Sequence, residues 1–289
     1  MERLINGKTR TCGLFGNPVE HTLSPTIHNN LAKNMGHNLV YVPFLVENDQ
    51  VEQAVAAVRA LHLGGVNVTV PHKSAVMEYL DEIDDLASKI GAVNTIVPRE
   101  GRLVGYNTDM PGLYRAMQSE GIGVQDETVV ILGAGGAARA VAMLCGTYGA
   151  KKIYMLNRSL SKAEQIAEEV NTLFGKDLLI PRMLEDDRTI FGSEYLVIQA
   201  TSVGLYPNCE DVVLEDEVFY ANAKAGVDLI YNPETTKFMK LMQEQGKKAM
   251  NGMKMLLYQG IIAYELWNDC KVSEELAEEV LKKMKEEIK

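Results

Sequence analysis

Apolar positions along the chain follow two rhythms: alternation over short runs and a three-to-four spacing over longer ones. Residues 11–16, TCGLFG, read as a short strand ending at glycine. SPTIHNNLAKNMG then reads as a helix, with Ser24 at the N-cap, Pro25 at the first helical position and Gly36 past the end. LVYVPFLV is a second strand. NDQVEQAVAAVRALHLGG is a helix with apolar positions 51, 54, 55, 58 and 61, closing at Gly64. VNVTV, residues 66–70, alternates as a third strand, and a helical pattern follows Pro71, His72 and Lys73. GAVNTIVPREGRLVGYNTDMPG reads as a hairpin leading to a helix near Pro111. Strands and helices alternate, which predicts an α/β unit with a largely parallel sheet.

The pattern restarts at Glu127: strand, glycine turn, helix, strand, with later strands at EYLVIQAT and AGVDLIY. This predicts a second α/β unit, with crossings near Pro111–Gly112 and Gly252. The tail KVSEELAEEVLKKMKEEIK has apolar residues at 272, 276, 280, 284 and 288, one face of a docked helix.

A length of 289 residues suits two domains, and 46% hydrophobic with 24% charged residues is ordinary for a soluble protein. A net charge of -10 argues against a nucleic-acid partner, while leaving room for a small anionic ligand at a local site. Cys12, Cys145, Cys209 and Cys270 are scattered and form no CxxC pair, so neither a zinc site nor a disulfide framework is expected. The five histidines show no metal-ligand grouping, no metal is expected, and His72 reads as structural. The polar start MERLINGKTR and the lack of an apolar run of ~20 residues lead us to expect a soluble cytoplasmic chain with no membrane partner.

VVILGAGGAARAVA holds G-x-G-x-x-A at Gly133, Gly135 and Ala138, with an apolar strand before it and an unbroken helix after it. Gly133 permits the tight turn, Gly135 admits a pyrophosphate close to the backbone, and Ala138 allows tight helix packing. The next strand ends in Asn157, Arg158 and Ser159, with Lys162 nearby, where an NAD site usually has Asp or Glu. A guanidinium in place of a carboxylate favours the 2′-phosphate of NADP.

Other polar residues cluster in the first unit. Thr22 and Ser24 put two hydroxyls at a helix start, a setting that suits a carboxylate. Asn94, Asn107, Thr108 and Asp109 surround the hairpin, where Asp109 could also serve as the cap of the next helix. Together with NVTVPHK, GAVNT, GYNTDMPG, GAGGAARA, NRS, ATSVG, DLIYNPETT and MLLYQG, in that order, the chain resembles the shikimate dehydrogenase family over nearly its whole length.

The resemblance implies a substrate domain, residues 1–110 plus 254–289, and a Rossmann-type NADP domain, residues 111–253, with an active-site cleft between them. It implies reversible reduction of 3-dehydroshikimate to shikimate in aromatic amino-acid biosynthesis, with Lys73 and Asp109 as the catalytic pair. Thr22, Ser24 and Tyr231 would bind the substrate carboxylate. Thr69, Asn94 and Gln259 would bind ring hydroxyls, and Asn67 is left between a binding and a structural role. Gly135, Gly136 and Ala137 would meet the pyrophosphate, Asn157, Arg158 and Lys162 the 2′-phosphate, and Thr201 and Met255 the nicotinamide end. Thr22 stands where the family most often has serine, Gln199 where asparagine is more familiar and Ser159 where threonine is usual. The methyl of Thr22 bears on selectivity against quinate, so a quinate/shikimate enzyme using NAD is the nearest alternative. A non-catalytic sensor on the same fold would be free to lose Lys73 and Asp109, and both are present. Nothing in the pattern fixes an oligomeric state, which leaves a homodimer open.

Overall fold

The short apolar runs pair into two separate six-stranded sheets, and the helical stretches cover them. The computed structural model describes residues 5–288. One unit comprises the chain up to Gly112 and from Leu256 onward, and the other is Leu113–Met255.

The first unit contains β1 (Arg10–Gly16), α1 (Ser24–Asn34), β2 (Leu39–Leu45), α2 (Val51–Ala60), β3 (Gly65–Val68), β4 (Glu82–Ile83), α3 (Asp85–Ile90), β5 (Thr95–Arg99) and β6 (Arg102–Tyr106). It also contains the first turn of α4 (Asp109–Ser119). Its sheet runs β2-β1-β3-β5-β6-β4, with β5 antiparallel to both neighbours and the remaining pairs parallel. Val55 and Val58 of α2 pack on Val66, Val68, Ile96 and Leu103 of the sheet.

Several local expectations need correction. Leu61 does not join the apolar stripe of α2: the helix stops at Ala60 and Leu61 is exposed. The run 66–70 is not a half-exposed strand. β3 is buried throughout, Asn67 included, because strands flank it on both sides and its amide finds internal partners. The helix expected after Lys73 is a single 3₁₀ stretch, Ala75–Tyr79. Ser24 does not cap α1. Leu23 occupies that place, and the buried Ser24 hydroxyl instead lies by the Tyr41 phenol.

The second unit continues α4 and adds β7 (Thr128–Leu132), α5 (Gly136–Thr147), β8 (Lys152–Asn157), α6 (Leu160–Phe174), β9 (Leu179–Met183) and β10 (Tyr195–Gln199). It then adds α7 (Glu217–Ala221), β11 (Ala223–Asp228), α8 (Lys237–Glu244) and β12 (Lys248–Met250). Its sheet is parallel throughout, in the order β12-β11-β10-β7-β8-β9. That is the doubly wound Rossmann order, and its direction reverses between β7 and β10, where ligands bind such sheets.

The chain ends with α9 (Met253–Asn268), whose first residues belong to the second unit, and α10 (Glu274–Ile288). α10 packs on α1 and buries Val280 and Met284, with Ala277 and Leu281 widening the expected stripe, while Ile288 is exposed. Among the described residues, no helix is long and apolar enough to cross a membrane.

Candidate active site

In the first unit the site residues gather where β1 and β3 end. Gly16 closes β1, and a Cβ there would fall 2.3 Å from the Thr69 methyl, so only glycine lets the two chain ends approach. Thr22 follows in the loop before α1, its Oγ1 accepting the Ser24 N–H at 3.2 Å. The turn after β3 carries Lys73, whose carbonyl accepts the Val93 N–H at 2.8 Å and so fastens that turn beside Asn94.

Asn107 organises the end of β6. Its Nδ2 donates to the Ala92 carbonyl at 3.0 Å, and its Oδ1 accepts from the N–H groups of Asp109 and Met110. Asn107 therefore does the capping work considered for Asp109, which leaves the Asp109 side chain free. Lys73 Nζ donates to Asp109 Oδ2 at 2.6 Å. The two side chains are 31% and 24% exposed, so the pair is partly desolvated yet open to solvent and to a ligand.

Asn94 is buried, and its Oδ1 accepts from the backbone N–H of Thr108, the residue before Asp109, at 2.7 Å. Gln259 on α9 lies against the start of α4: a Cβ on Gly112 would sit 2.6 Å from the Gln259 nitrogen. Asn67 is consumed internally, accepting from the Tyr41 hydroxyl at 2.9 Å and donating to Thr95 Oγ1 at 3.1 Å. His72 is buried with Nε2 2.8 Å from the Val46 carbonyl, a structural contact. Tyr231 follows β11 in the second unit and is 36% exposed.

Beside Asn67 lies His28, fully buried, its ring stacked on Tyr41 at 4.2 Å and tilted on Trp267 at 5.0 Å. Neither ring nitrogen has a hydrogen-bond partner. Burial pushes its pKa down to about 3, with the neighbouring Asn67 side chain opposing. Burial also drives the Tyr41 phenol well above its ordinary range, so that hydroxyl keeps its proton.

In the second unit the glycine turn has the form its sequence suggests. Gly133 adopts φ +109°, and a Cβ there would meet the Thr201 methyl at 2.6 Å, which brings the ends of β7 and β10 together. Gly135 precedes α5 with no side chain capping the helix, and a Cβ on Gly135 or Gly136 would meet nothing within 4 Å. These two glycines and Ala137 are exposed, whereas Ala138 is buried. The first N–H groups of α5 thus face open space, which suits a pyrophosphate.

A cavity of about 570 Å³ runs from Gly133 and Thr201 to Asn157 and Arg158. Lys162, exposed on α6, lies outside its lining, as does Met255, half-buried at the start of α9. Sequence reasoning missed part of the lining: Glu210, Asp211, Glu215 and Lys237, which pairs with Glu215 at 2.8 Å. The exposed Arg158, the open glycine turn and the uncapped helix fit a dinucleotide.

Two family models match the chain: the shikimate dehydrogenase substrate-binding domain over residues 14–96, and shikimate/quinate 5-dehydrogenase over residues 116–203. A shikimate dehydrogenase (NADP(+)) of Desulforamulus reducens is 45% identical over 273 residues, 91% of each chain. The chain belongs to the shikimate dehydrogenase family. A crystal structure of a shikimate dehydrogenase in complex with NADP+ superposes with a TM-score of 0.86 at 38% identity, covering 97% of both chains. The enzyme from Listeria monocytogenes, in complex with shikimate and NAD, gives 0.88 at 32% identity, over 96% of this chain and 98% of that one. As a family member, the protein is an oxidoreductase that uses a nicotinamide dinucleotide, with a Rossmann unit to bind it.

Proposed function

We propose that the protein catalyses the reversible NADPH-dependent reduction of 3-dehydroshikimate to shikimate, with the 2.6 Å Lys73–Asp109 pair as its proton-transfer apparatus. That pair is the observation that carries the reading. Reduction of a ketone to an alcohol needs a hydride on carbon and a proton on oxygen. The bound dinucleotide supplies the hydride. The Lys73 ammonium holds the proton at Nζ, faces the charge that develops on the substrate oxygen, and releases its proton there. Asp109 fixes the ammonium through Oδ2 and has its second oxygen to accept from a substrate hydroxyl. Solvent returns the proton to Lys73, which its partial exposure allows. In the reverse direction neutral Lys73 takes the proton.

In this reading the substrate belongs to residues 1–110 and 254–289, and the dinucleotide to 111–253. Thr22, Ser24 and Tyr231 hold the carboxylate, while Thr69, Asn94 and Gln259 hold ring oxygens. Gly135, Gly136 and Ala137 cradle the pyrophosphate, Asn157, Arg158 and Lys162 take the 2′-phosphate, and Thr201 and Met255 meet the nicotinamide end. The second reading, use of quinate or NAD, is favoured by the methyl of Thr22 and by the carboxylates that share the cavity with Arg158.

A four-way assay decides: shikimate or quinate, each with NADP or NAD, followed by absorbance of the reduced cofactor. Activity concentrated in shikimate with NADP is expected. Equal rates with quinate and NAD would overturn the specificity, and a folded protein inert in all four would overturn the enzyme reading.

A further inference from the structure

We propose that a buried hydrogen-bond relay, Tyr41–Asn67–Thr95, fixes the orientation of the Asn94 carboxamide, so that the site presents a donor and not an acceptor to the substrate. Tyr41, Asn67, Thr95 and Thr108 are then positioning residues. This rests on the reading of Asn94 as a substrate ligand and adds what sets its polarity.

The backbone N–H of Thr108 can only donate, and it points at Asn94 Oδ1 from 2.7 Å. That bond marks this atom as the carbonyl oxygen, and the groups behind it hold the amide in that orientation. Two hydroxyls converge on the same oxygen, Thr108 Oγ1 at 3.1 Å and Thr95 Oγ1 at 3.0 Å. A hydroxyl has one proton, and what directs that of Thr95 lies further back. Tyr41 donates to Asn67 Oδ1 at 2.9 Å, which leaves Asn67 Nδ2 as the group that donates to Thr95 Oγ1 at 3.1 Å. Asn67 Nδ2 also donates to the backbone carbonyl of Asn94 at 3.3 Å. With a donor already on its oxygen, Thr95 has its own proton to give, and of the two acceptors in reach, Asn94 Oδ1 at 3.0 Å and Thr108 Oγ1 at 3.3 Å, the amide oxygen is the nearer and the stronger.

Every member of the relay is buried: Tyr41 at 1%, Asn67 at 4%, Thr95 at 0% and Thr108 at 1% exposure. No water competes at such depth, so the donor–acceptor order is set by the chain itself. The Asn94 oxygen thus accepts three bonds, and among the described residues its Nδ2 has no protein partner. Two N–H bonds remain for a substrate oxygen. A flipped amide would set its NH₂ against the Thr108 N–H and forfeit the bonds from both hydroxyls, so the network selects against that state. The site is thereby tuned to an oxygen with free lone pairs, a ring hydroxyl or a carbonyl, and against a ligand offering only a donor at that point.

The test is a double-mutant cycle in steady-state kinetics, with KM for shikimate and for NADP read separately. Thr95→Val keeps the shape and removes the proton; it should raise KM for shikimate about fivefold, with KM for NADP unchanged. Thr95→Ser restores the hydroxyl and should return KM to within about twofold of wild type. In an Asn94→Ala background, Thr95→Val should add nothing further, because it acts only through Asn94. Tyr41→Phe, the volume-conserving removal of the first proton, should shift KM the same way by about twofold, and it decides the matter if Thr95→Val does not fold. An unchanged KM for shikimate in folded Thr95→Val, or in Tyr41→Phe where that variant decides, overturns the relay. So do effects that multiply in the Asn94→Ala background. A wild-type protein inactive in the four-way assay would instead remove the substrate reading beneath it.

Discussion

Lowering the pH from 7.5 to 5 should act on the two units in opposite directions. In the first unit His28 is buried among aromatic rings with a pKa near 3, against 6.5 for an ordinary histidine. Its depressed folded-state value means that below pH 6.5 the unfolded chain takes up a proton the folded chain refuses, so stability falls as pH falls. At pH 5 the loss is about 2 kcal/mol. In the second unit Asp228 is buried, and its pKa is raised from 3.8 to about 6 by desolvation, despite bonds from Thr236 and the Ile230 N–H. Here the folded chain takes up the proton first, and at pH 5 it gains about 1.4 kcal/mol. A probe that sums over both units sees these terms largely cancel. Trp267 separates them: it is the single tryptophan, belongs to the first unit, is 6% exposed, and its ring centroid lies 5.0 Å from that of His28. Urea unfolding followed by tryptophan fluorescence at both pH values should show the acid loss in wild type. In His28→Leu that loss should shrink by about 2 kcal/mol, whatever the change in baseline stability. Identical acid sensitivity in the two proteins would show that His28 takes up its proton as readily in the folded chain as in the unfolded one.

Four further outcomes follow from the site. Lys73→Ala should lower kcat by about 10²–10⁴-fold while moving KM for shikimate little, as steady-state assays will show. Arg158→Ala should raise KM for NADPH by about tenfold or more and leave KM for NADH nearly unchanged, since only the former carries the 2′-phosphate. Gly133→Ala, strained at φ +109° and blocked by Thr201, should cost about 1–3 kcal/mol in unfolding experiments. Gly135→Ala meets open space, so it should leave stability within about 0.5 kcal/mol of wild type yet weaken dinucleotide binding in a fluorescence titration.

The parts of the fold legible in the sequence are those written in local pattern. The glycine turn at Gly133–Gly135 announces itself because backbone geometry and the anion site both demand small residues within a few positions. Lys73 and Asp109 lie 36 positions apart, and family motifs made each visible, but only the sheet brings them to 2.6 Å. The strand at 66–70 misled because alternation implies one wet face, and Asn67 breaks the rule by satisfying its amide internally with Tyr41 and Thr95. Those partners were invisible in turn: nothing local to Tyr41 marks it as serving a residue 26 positions away. Ser24 carried a strong cap signal, yet a competing hydroxyl drew its side chain inward. The acidic residues that share a cavity with Arg158 lie on irregular chain between β10 and α7, where no periodicity exists to read.

The discontinuity of the first unit bears on how the molecule is born. Leu113–Met255 is one uninterrupted stretch, whereas the first unit needs its last segment for closure: the Trp267 indole donates to the Ile96 carbonyl at 3.0 Å across 171 positions. On the ribosome, the second unit is complete in sequence while the first still lacks α9 and α10, so the order of folding is the reverse of the order of synthesis. The earliest-made strands must wait, with the apolar face that α9 will cover still open to the cell. Chains arrested soon after Met255 has cleared the exit tunnel should resist protease over the later-made unit and yield over the earlier one.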